Sequence, residues 1–595
     1  MEELTEKRMK LFWAAWLAIA LIIIAVSSPL VFNSFWVSLL GLFFFSVLLT
    51  PPLGFFIETI ALKKEGWLEK RGLLLIFIIW LLFVAFYSVF ALHRQENYFT
   101  GYDLAIYDQA VWHLSRFEIP ESSLRNVPVV FGDHFAPALS LLVPFYWLFP
   151  TPSALLVLQV IITLLPVWFF WLWGRDWKIK PSYILIISLF YLTSPAIQGF
   201  LGFDFHDILF GPLFLSAAFY FLQKKNWLFY FFNICLLIFT REVLPLLVAV
   251  IGVFVFFRER LRQIGIITLL IGIIAFPIIV GPLMNSYNYS FVQRSPYFQM
   301  FPGFDQGLKN GVINMIKNPG LILRVISEFP DKWWTISFFI LPLAPALFFE
   351  PWLLVLFLPQ LAEKILSSYQ YLSFMKFQYN LLFAPLAAIA FIYLIKKLAE
   401  NDIGGTPREK TNRLKLFFPR PIMLFLVFPL VLNLVYSSQY SYLLSPFQEW
   451  KFTSRESPSA PTEAFQELVD IIPKDVQAKV AASQVFLPHL NHRQNLYLLP
   501  RISDASFIIF NFCPKQPCNY WPIQTKNIIQ LNNFLRNNPS FEVEKVNEAG
   551  VVFERKGPFT EKLRQDLAAF CLSLISDQEH LHSSHKQYLL ENCSF

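Results

Sequence analysis

The residues best suited to chemistry lie in one acidic stretch of the sequence. Asp103 and Asp108 are five residues apart in the run YDLAIYDQAVW, and Asp133 and His134 follow in the run FGDHF. Carboxylates and an imidazole in such a group can deprotonate an acceptor hydroxyl, or hold a divalent metal ion against a phosphate. The same residues also fit a simpler interpretation, in which Asp103 caps a helix and the other charges are solvated.

Two further groups of ionisable residues lie between apolar runs. Asp204, His206 and Asp207 come together in FDFHD, where two carboxylates and a histidine are compatible with a metal site or a catalytic role, although this spacing is not a specific metal signature. Capping or solvation at a membrane boundary explains the same residues. Arg241 and Glu242 are adjacent in apolar sequence, which indicates either a functional site that binds phosphate or a structural ion pair.

Several other residues are weaker candidates. Arg294 lies in a long predicted loop, and Gln378 with Tyr379 lies beside a later apolar run, so we consider these three for substrate binding. His489 and His492 have the spacing of a chelating pair on a helix. No third ligand is near them in the sequence, so packing or surface histidines are favoured over a metal site.

Membrane helices must position these residues. The chain has 595 residues, of which 56% are hydrophobic and 15% charged, whereas soluble proteins carry about 25% charged residues. The apolar residues form long runs, and a run of roughly 18 or more indicates a membrane span. The net charge of +7 comes from short basic clusters between these runs. That pattern is typical of cytoplasmic loops, so we exclude nucleic acid as a partner.

The basic clusters predict a topology of about thirteen spans with the N-terminus in the cytoplasm. The predicted spans are 11–32, 35–60, 73–92, 152–173, 181–200, 206–223, 227–240, 242–257, 263–284, 333–350, 351–367, 377–397 and 419–438. The proline-punctuated stretch 136–149 is too short to cross, so we predict a helix at the outer interface. Spans 227–240 and 242–257 are predicted to form a hairpin that turns at Arg241 and Glu242.

The predicted fold class is a mainly α, polytopic membrane protein with a small extracytoplasmic α/β domain at its C-terminal end. Alternating helices and short strands after Tyr440 predict this domain: helices at 463–472 and 523–537, strands at 479–482, 495–499, 507–512, 541–547 and 550–555. The predicted divisions are an N-terminal hairpin and cytoplasmic loop at 1–72, a membrane domain at 73–438 with outer loops 93–135 and 285–332, the α/β domain at 439–557, and a helical tail at 558–595.

Cysteines are concentrated near the C-terminus. Cys513, Cys518, Cys571 and Cys593 all lie in or after the predicted α/β domain. An oxidising compartment on that side of the membrane would allow disulfides, and Cys513 with Cys518 is the closest pair in the sequence.

Several blocks of the sequence resemble a family of predicted prokaryotic membrane proteins, known as domain of unknown function 2079. The blocks are YDLAIYDQAVW at 102–112, GDHFAP at 132–137, Phe205 with His206, Arg241 with Glu242, IPKDVQAKVAA at 472–482 and LPHLNHR at 487–493. The resemblance covers residues 75–555 and implies a relation to the GT-C glycosyltransferases. Those enzymes take a sugar from a polyprenyl-phosphate carrier on the outer face of the cytoplasmic membrane.

The resemblance also implies roles for residues. Asp103 or Asp108 would match the acidic residue that GT-C enzymes need in their first outer loop, with Asp133 and His134 completing the site. A phosphate would bind near Arg241, and a divalent metal ion would be the cofactor. The chain departs from the family in having Arg241 where members often have Lys, Gln378 where they often have His, and an additional hairpin at 11–60.

The expected function is transfer of a sugar from a polyprenyl-phosphate donor to an acceptor of the cell envelope, at the outer face of the plasma membrane. A transporter or lipid flippase is one alternative; it requires ionisable residues deep within spans and broken helices near the midplane. A non-catalytic scaffold or sensor is another, and it requires that the outer-loop carboxylates tolerate substitution.

Overall fold

The protein is described here from a computed structural model, which covers residues 35–125, 129–287, 308–328, 330–367, 372, 377–403, 421–440, 461–512 and 525–576. Predicted span 11–32, Arg294 and the cysteines Cys513, Cys518 and Cys593 lie outside the described residues.

The chain is mainly helical from residue 35 to residue 440. Helices suit apolar surroundings because each one satisfies its backbone hydrogen bonds internally. In chain order the helices are α1 (Phe35–Glu96), α2 (Tyr102–Ser115), α3 (Val143–Leu148), α4 (Pro152–Leu164), α5 (Pro166–Asp176), α6 (Pro181–Leu192), α7 (Pro195–Leu201), α8 (Gly211–Gln223), α9 (Trp227–Ile238), α10 (Leu244–Phe257), α11 (Arg262–Ile278), α12 (Leu308–Lys317), α13 (Pro319–Glu328), α14 (Pro330–Ile340), α15 (Ala344–Phe349), α16 (Leu353–Leu366), α17 (Phe383–Ile403) and α18 (Pro421–Tyr440).

The predicted count of about thirteen spans is not supported. Within the described residues, five helical segments are long and apolar enough to cross a membrane, or six if the bent pair α6–α7 counts as one span. The five are Phe44–Ala61, Lys63–Glu96, Pro152–Asp176, Arg262–Leu283 and Gln378–Leu398. Several predicted spans, including those at α8, α9 and α10, are helices of 10–17 residues, whereas a span needs about 20 residues.

The basic residues after the second predicted span lie within a helix rather than in a loop. The predicted spans 35–60 and 73–92 are parts of the single helix α1, which runs for 62 residues and contains Pro51 and Pro52. Glu65 in the middle of α1 accepts a hydrogen bond from Ser182 Oγ at 3.1 Å. This contact ties the middle of α1 to the start of α6. Long basic side chains can keep their charges in water while the backbone stays helical. A cluster of basic residues therefore does not by itself indicate a loop.

Helices α10 and α11 approach each other so closely that their glycines have no room for a side chain. A Cβ atom added at Gly252 would lie 2.3 Å from the backbone nitrogen of Leu269, and one at Gly272 would lie 2.4 Å from that of Ala249. The buried residues of α11 are Gly265, Thr268 and Gly272, which repeat along one face. Small residues of this kind let membrane helices pack backbone to backbone.

The stretch predicted to lie at the interface forms a short apolar helix. A 3-10 turn at Pro137–Leu142 leads into α3. Phe145, Leu148 and Phe149 are exposed, whereas Leu142 and Tyr146 are buried. A helix too short to cross, with one apolar exposed face, is suited to a membrane–water boundary.

The predicted α/β domain is present, with α19 (Thr462–Val469), α20 (Thr525–Asn537), α21 (Glu561–Ser576), β1 (Val480–Ala482), β2 (Leu496–Leu498), β3 (Phe507–Asn511), β4 (Phe541–Val546) and β5 (Gly550–Arg555). The sheet has the order β2-β1-β3-β5-β4. Strand β1 is parallel to β2 and β3, and β5 is antiparallel to β3 and β4.

Alternation along the strands gives this sheet two buried faces. Ile508 and Phe510 pack with α20 and α21 on one face, where Cys571 is disulfide-bonded. Ile509 belongs to the other face, which joins the same apolar core as the membrane helices. The sheet is therefore packed between its own helices and the end of the helix bundle that carries residues 98–146.

The glycine contact between α10 and α11 gives a stability prediction. We expect Gly272→Ala to lower the free energy of unfolding by about 2 kcal/mol, because the added methyl group overpacks a backbone contact. Thermal unfolding of the purified protein in detergent would measure this. The matched control is Gly66→Ala in α1, where nothing lies within 4 Å of the added Cβ atom, and where alanine favours the helix by up to about 1 kcal/mol. Equal melting temperatures for the two variants would contradict the proposed helix contact.

Candidate functional site

The candidate site is formed at breaks between helices. Asp103 lies in the first turn of α2, and a single-turn helix at Val130–Asp133 leads to His134. The loop after α7 supplies the FDFHD residues, and the turn between α9 and α10 supplies Arg241 and Glu242. At helix breaks, polar side chains can meet without unsatisfied backbone groups in the apolar bundle.

Asp103 is paired with the histidine of FDFHD. His206 Nε2 lies 3.6 Å from Asp103 Oδ2, and His206 Nδ1 lies 3.1 Å from the carbonyl oxygen of Asp204. Because a carbonyl only accepts, Nδ1 carries the proton and Nε2 offers its lone pair to Asp103. Burial lowers the pKa of His206 to about 4, so the ring is neutral at neutral pH.

Asp103 is accessible, unlike its buried neighbours. Its side chain is 34% exposed, against 4% for His206 and 0% for Asp207. Loss of surrounding water raises the pKa of Asp103 to about 6, although the positive charges of Arg125 and Arg241 oppose this shift. Gly101 is the N-cap of α2 and provides no side-chain cap. The interpretation of Asp103 as the helix cap is therefore wrong, and its carboxyl group can exchange a proton close to neutral pH.

The predicted Arg241–Glu242 pair is part of a larger buried group. Arg241 Nη1 lies 3.6 Å from Asp207 Oδ1, and Arg241 Nε lies 3.9 Å from Glu242 Oε1. The Tyr107 hydroxyl donates to Asp207 Oδ1 at 3.1 Å. One guanidinium thus faces two buried carboxylates, an arrangement that is tolerated only when the charges compensate each other.

The GDHF run is attached to the same group. His134 Nδ1 lies 3.1 Å from Glu242 Oε1, and the backbone N–H of Phe135 donates to Glu242 Oε2 at 3.2 Å. Arg241 Nη2 lies 3.3 Å from His134 Nε2. Both ring nitrogens of His134 are thus engaged, so His134 holds the loop against the α9–α10 turn.

Two arginines that sequence reasoning did not single out bind predicted site carboxylates. Arg125 forms an ion pair with Asp133. Arg94 Nη2 lies 4.0 Å from Asp204 Oδ1, and Asp204 Oδ2 accepts the backbone N–H of Gly101 at 2.9 Å. Asp204 therefore fixes the start of α2 next to the end of α1. Their position within the same acidic loop was the only sequence signal for these arginines.

The predicted metal ligands do not converge. The side chains of Asp204, His206 and Asp207 meet Gly101, Asp103 and Arg241 respectively. Among the residues that the structure describes, no group of three or more His, Cys, Asp or Glu residues could hold a metal ion. The residues present thus do not fit a metal site here. Dependence on a divalent metal stays a prediction, and we derive no step through one.

Asp108 has a different environment from Asp103. Five residues along a helix correspond to a rotation of roughly 140°, so the two carboxylates leave α2 on different faces. Asp108 is fully buried and accepts a hydrogen bond from the Tyr146 hydroxyl at 2.6 Å and one from Asn491 Nδ2 at 2.9 Å. His492 Nε2 lies 3.1 Å from Asp108 Oδ2, the oxygen that also accepts the hydrogen bond from Asn491. Asp108 therefore joins α2, the interfacial helix α3 and the α/β domain.

The second predicted histidine is also a packing residue. The His489 ring stacks on Tyr98 with ring centroids 3.9 Å apart, and burial lowers the pKa of His489 to about 4. The Tyr98 hydroxyl donates to Gln466 Oε1 at 3.0 Å. His489 and His492 both make packing and polar contacts between the α/β domain and residues 98–146, so both residues dock the α/β domain.

A later part of the chain also approaches the site. Gln378 and Tyr379 form a 3-10 turn before α17, and the preceding Phe377 ring lies 4.9 Å from that of Phe203. Gln378 is buried, and its Oε1 has no hydrogen-bond partner among the described residues. Lys364 Nζ donates to the Tyr379 carbonyl at 3.1 Å. The sequence analysis did not single out Lys364, although a lysine within an apolar run is a signal of a functional residue.

These observations define a polytopic helical membrane protein with a charged site at one end of its bundle and an α/β domain docked beside that site. Residues 95–552 match the family described as "Predicted membrane protein (DUF2079)", and the chain belongs to that family. The match spans most of the chain, as the sequence blocks led us to expect. No curated protein matches the chain.

The Asp108 contacts predict a role in docking the α/β domain. We expect Asp108→Ala to lower the free energy of unfolding by about 3 kcal/mol, because it removes a charged acceptor from buried donors. Thermal unfolding of the full chain would measure the loss, and hydrogen exchange at residues 485–495 would locate it. The control is Glu118→Gln, which alters a 42% exposed carboxylate of the same outer loop. Equal stability and exchange in the two variants would refute the docking role.

Proposed function

We propose that this protein is a glycosyltransferase that moves a sugar from a polyprenyl-phosphate donor to an envelope acceptor, with Asp103 as the general base. The observation that supports this most is an accessible carboxyl group with a raised pKa beside a buried charge cluster. Such perturbed groups concentrate at functional sites. The order of elements also supports it: a long helix, an acidic loop, a short interfacial helix and a helix leading back.

The proposed chemistry needs one proton acceptor and one anion-binding group. Asp103 takes the proton of the acceptor hydroxyl while that oxygen forms a bond to the anomeric carbon of the sugar. The bond from this carbon to the phosphate oxygen breaks, and the polyprenyl phosphate leaves with the bonding electrons. His206 Nε2, which carries no proton, can accept a hydrogen bond from Asp103 once Asp103 has taken the acceptor's proton, and so stabilises the protonated form of the base.

The phosphate is assigned to the arginines of the site. Arg241 is 3% exposed and faces Asp207 and Glu242, so these carboxylates compensate its charge and its role is to organise the buried group. Arg125 is 25% exposed and one of the charges that act on Asp103. A guanidinium at this position can donate two parallel hydrogen bonds to a phosphate. We therefore assign direct phosphate contact to Arg125, with Arg241 behind it.

One observation favours a second candidate function, transport of a lipid-linked sugar across the membrane. Helices α6 and α7 form a broken span with a bend of 44°, and the FDFHD loop follows it. Transporters place substrate sites at breaks of this kind. The two candidates differ in product, because transport leaves the bond between sugar and phosphate intact.

The role of Asp103 as general base can be tested by substitution. We expect Asp103→Asn to lower the transfer rate at least about a hundredfold, since a positioned base contributes about 10²–10⁴. The assay mixes the purified protein with a panel of polyprenyl-phosphate sugars, with and without divalent metal, and follows release of the lipid phosphate. Glu118→Gln is the matched outer-loop control and should keep full activity. Undiminished release by Asp103→Asn would remove Asp103 from the mechanism, and movement of intact donor across vesicles would favour the transporter.

The raised pKa of Asp103 also predicts how the transfer rate and the stability of the protein depend on pH. Because the pKa of Asp103 is raised to about 6, the base is protonated below this pH, and the rate should rise as pH increases through about 6. The folded state holds this proton more tightly than the unfolded chain, so stability linked to Asp103 is present near pH 4 and is lost as pH rises through 6. Asp103→Asn should therefore be at least as stable as the natural protein at pH 7.5. A rate independent of pH between 5 and 7 would contradict the assignment.

A further inference from the structure

A cavity lies at the opposite end of the bundle from the candidate site. The cavity has a volume of about 270 Å³ and lies where α5 and α8 end, whereas the FDFHD residues precede the start of α8. Its lining residues are Trp173, Asp176, Trp177, Tyr220, Gln223 and Lys224. None of these residues takes part in the chemistry proposed above.

Two tryptophans form the apolar wall of this cavity. The rings of Trp173 and Trp177 meet edge to face with centroids 5.1 Å apart. Lys396 Nζ lies 3.9 Å from the centroid of the Trp177 ring. Trp173 is buried, and its indole N–H has no hydrogen-bond partner among the described residues. A donor in this state is costly unless an acceptor reaches it, so the wall favours an occupant rich in acceptor oxygens.

The polar wall is held in place by a chain of hydrogen bonds. Gln223 Nε2 donates to the Tyr393 hydroxyl at 2.7 Å, and this hydroxyl donates to Glu259 Oε1 at 2.7 Å. Lys224 Nζ lies 3.1 Å from Asp176 Oδ2, with side chains 46% and 23% exposed. Lys224 is therefore a cation at the cavity whose present partner is a solvent-accessible carboxylate, which an incoming anion can replace.

Positive charge dominates the surroundings of the cavity. Arg175 is exposed in the last turn of α5, Lys178 and Lys225 are exposed on the segments that follow α5 and α8, and Lys396 adds a fourth cation. Basic side chains together with tryptophan, at the ends of apolar helices, are typical of the headgroup region of a membrane. Charge and position thus both favour an anionic occupant that enters from the bilayer.

We propose that this cavity binds the phosphate-bearing headgroup of an anionic membrane lipid. Lys224 binds the phosphate, Gln223 donates to the headgroup, and the rings of Trp177 and Tyr220 pack on the glycerol and upper acyl chain. The occupant is separate from the donor at the Asp103 site, because the two places are at opposite ends of α8. The site is independent of the transfer reaction and does not require that the proposed function is right.

Binding can be measured on the full chain in detergent, with phosphatidylglycerol, phosphatidylcholine and inorganic phosphate as the three probes. Native mass spectrometry would count bound lipid, and intrinsic tryptophan fluorescence would follow Trp173 and Trp177. We expect phosphatidylglycerol to bind in preference to phosphatidylcholine. Lys224→Gln should weaken phosphatidylglycerol binding about tenfold, the effect of one charge-assisted contact. Lys562→Gln, which removes an exposed lysine of α21 in the α/β domain, is the matched control.

A second variant tests the proposal in the opposite direction. Asp176→Asn removes the carboxylate that competes for Lys224, so it should tighten phosphatidylglycerol binding; this holds even if Lys224→Gln fails to fold. Equal binding of the two lipids would overturn the proposal, as would Lys224→Gln and Asp176→Asn variants that both bind like Lys562→Gln. Displacement of the lipid by millimolar inorganic phosphate would identify free phosphate as the occupant and overturn the lipid assignment.

Discussion

The site depends on the buried ion pairs that the Arg241 guanidinium makes with Asp207 and Glu242. The charge of this guanidinium can remain away from water only while Asp207 and Glu242 face it, and loss of one partner from such a group is strongly destabilising. Glu242 in turn holds His134 and Phe135. The buried group therefore needs three segments that are far apart in the sequence: residues 134–135, Asp207 and residues 241–242. The loop that precedes α3 cannot move without disturbing the α9–α10 turn.

The α/β domain extends this constraint to the outer-loop helix. Asp108 accepts hydrogen bonds from α3 and from the loop before β2, while Tyr98 inserts between Phe465 and His489. Helix α2 is consequently fixed on two faces, one towards the bundle and one towards the sheet. A rigid α2 keeps the Asp103 carboxyl group within reach of His206, because positioning of a reacting group depends on the elements behind it.

Local patterns predicted the elements well and the pairings poorly. The turn at Arg241, the short helix α3 and the strands of the α/β domain all follow from apolar periodicity and punctuation, which are local properties. The predicted span count is not supported because several apolar runs form helices of only 10–17 residues, and apolar composition alone does not show where a helix ends. Helical spacing could separate Asp103 from Asp108, but it could not show that Arg125 binds Asp133 or that Asp108 binds the α/β domain. Such pairings join distant segments, and a single sequence carries no local signal for them.

The environment of Asp103 explains why a carboxyl group at this position is hard to account for by folding alone. An ionised carboxylate in surroundings that raise its pKa costs stability at neutral pH, and Asp103 is not the N-cap of α2. Asn would fit the same space without the charge. By contrast, Asp108 and Asp133 have partners that stabilise a carboxylate. Burial also raises the pKa of Asp204 to about 6, but the Asp204 side chain is only 7% exposed and is held by Arg94 and the Gly101 N–H. Of these four carboxylates, Asp103 combines a raised pKa with an accessible side chain, and a residue that breaks a folding rule in the open is one whose presence needs a functional reason. The proposed chemistry therefore rests on Asp103.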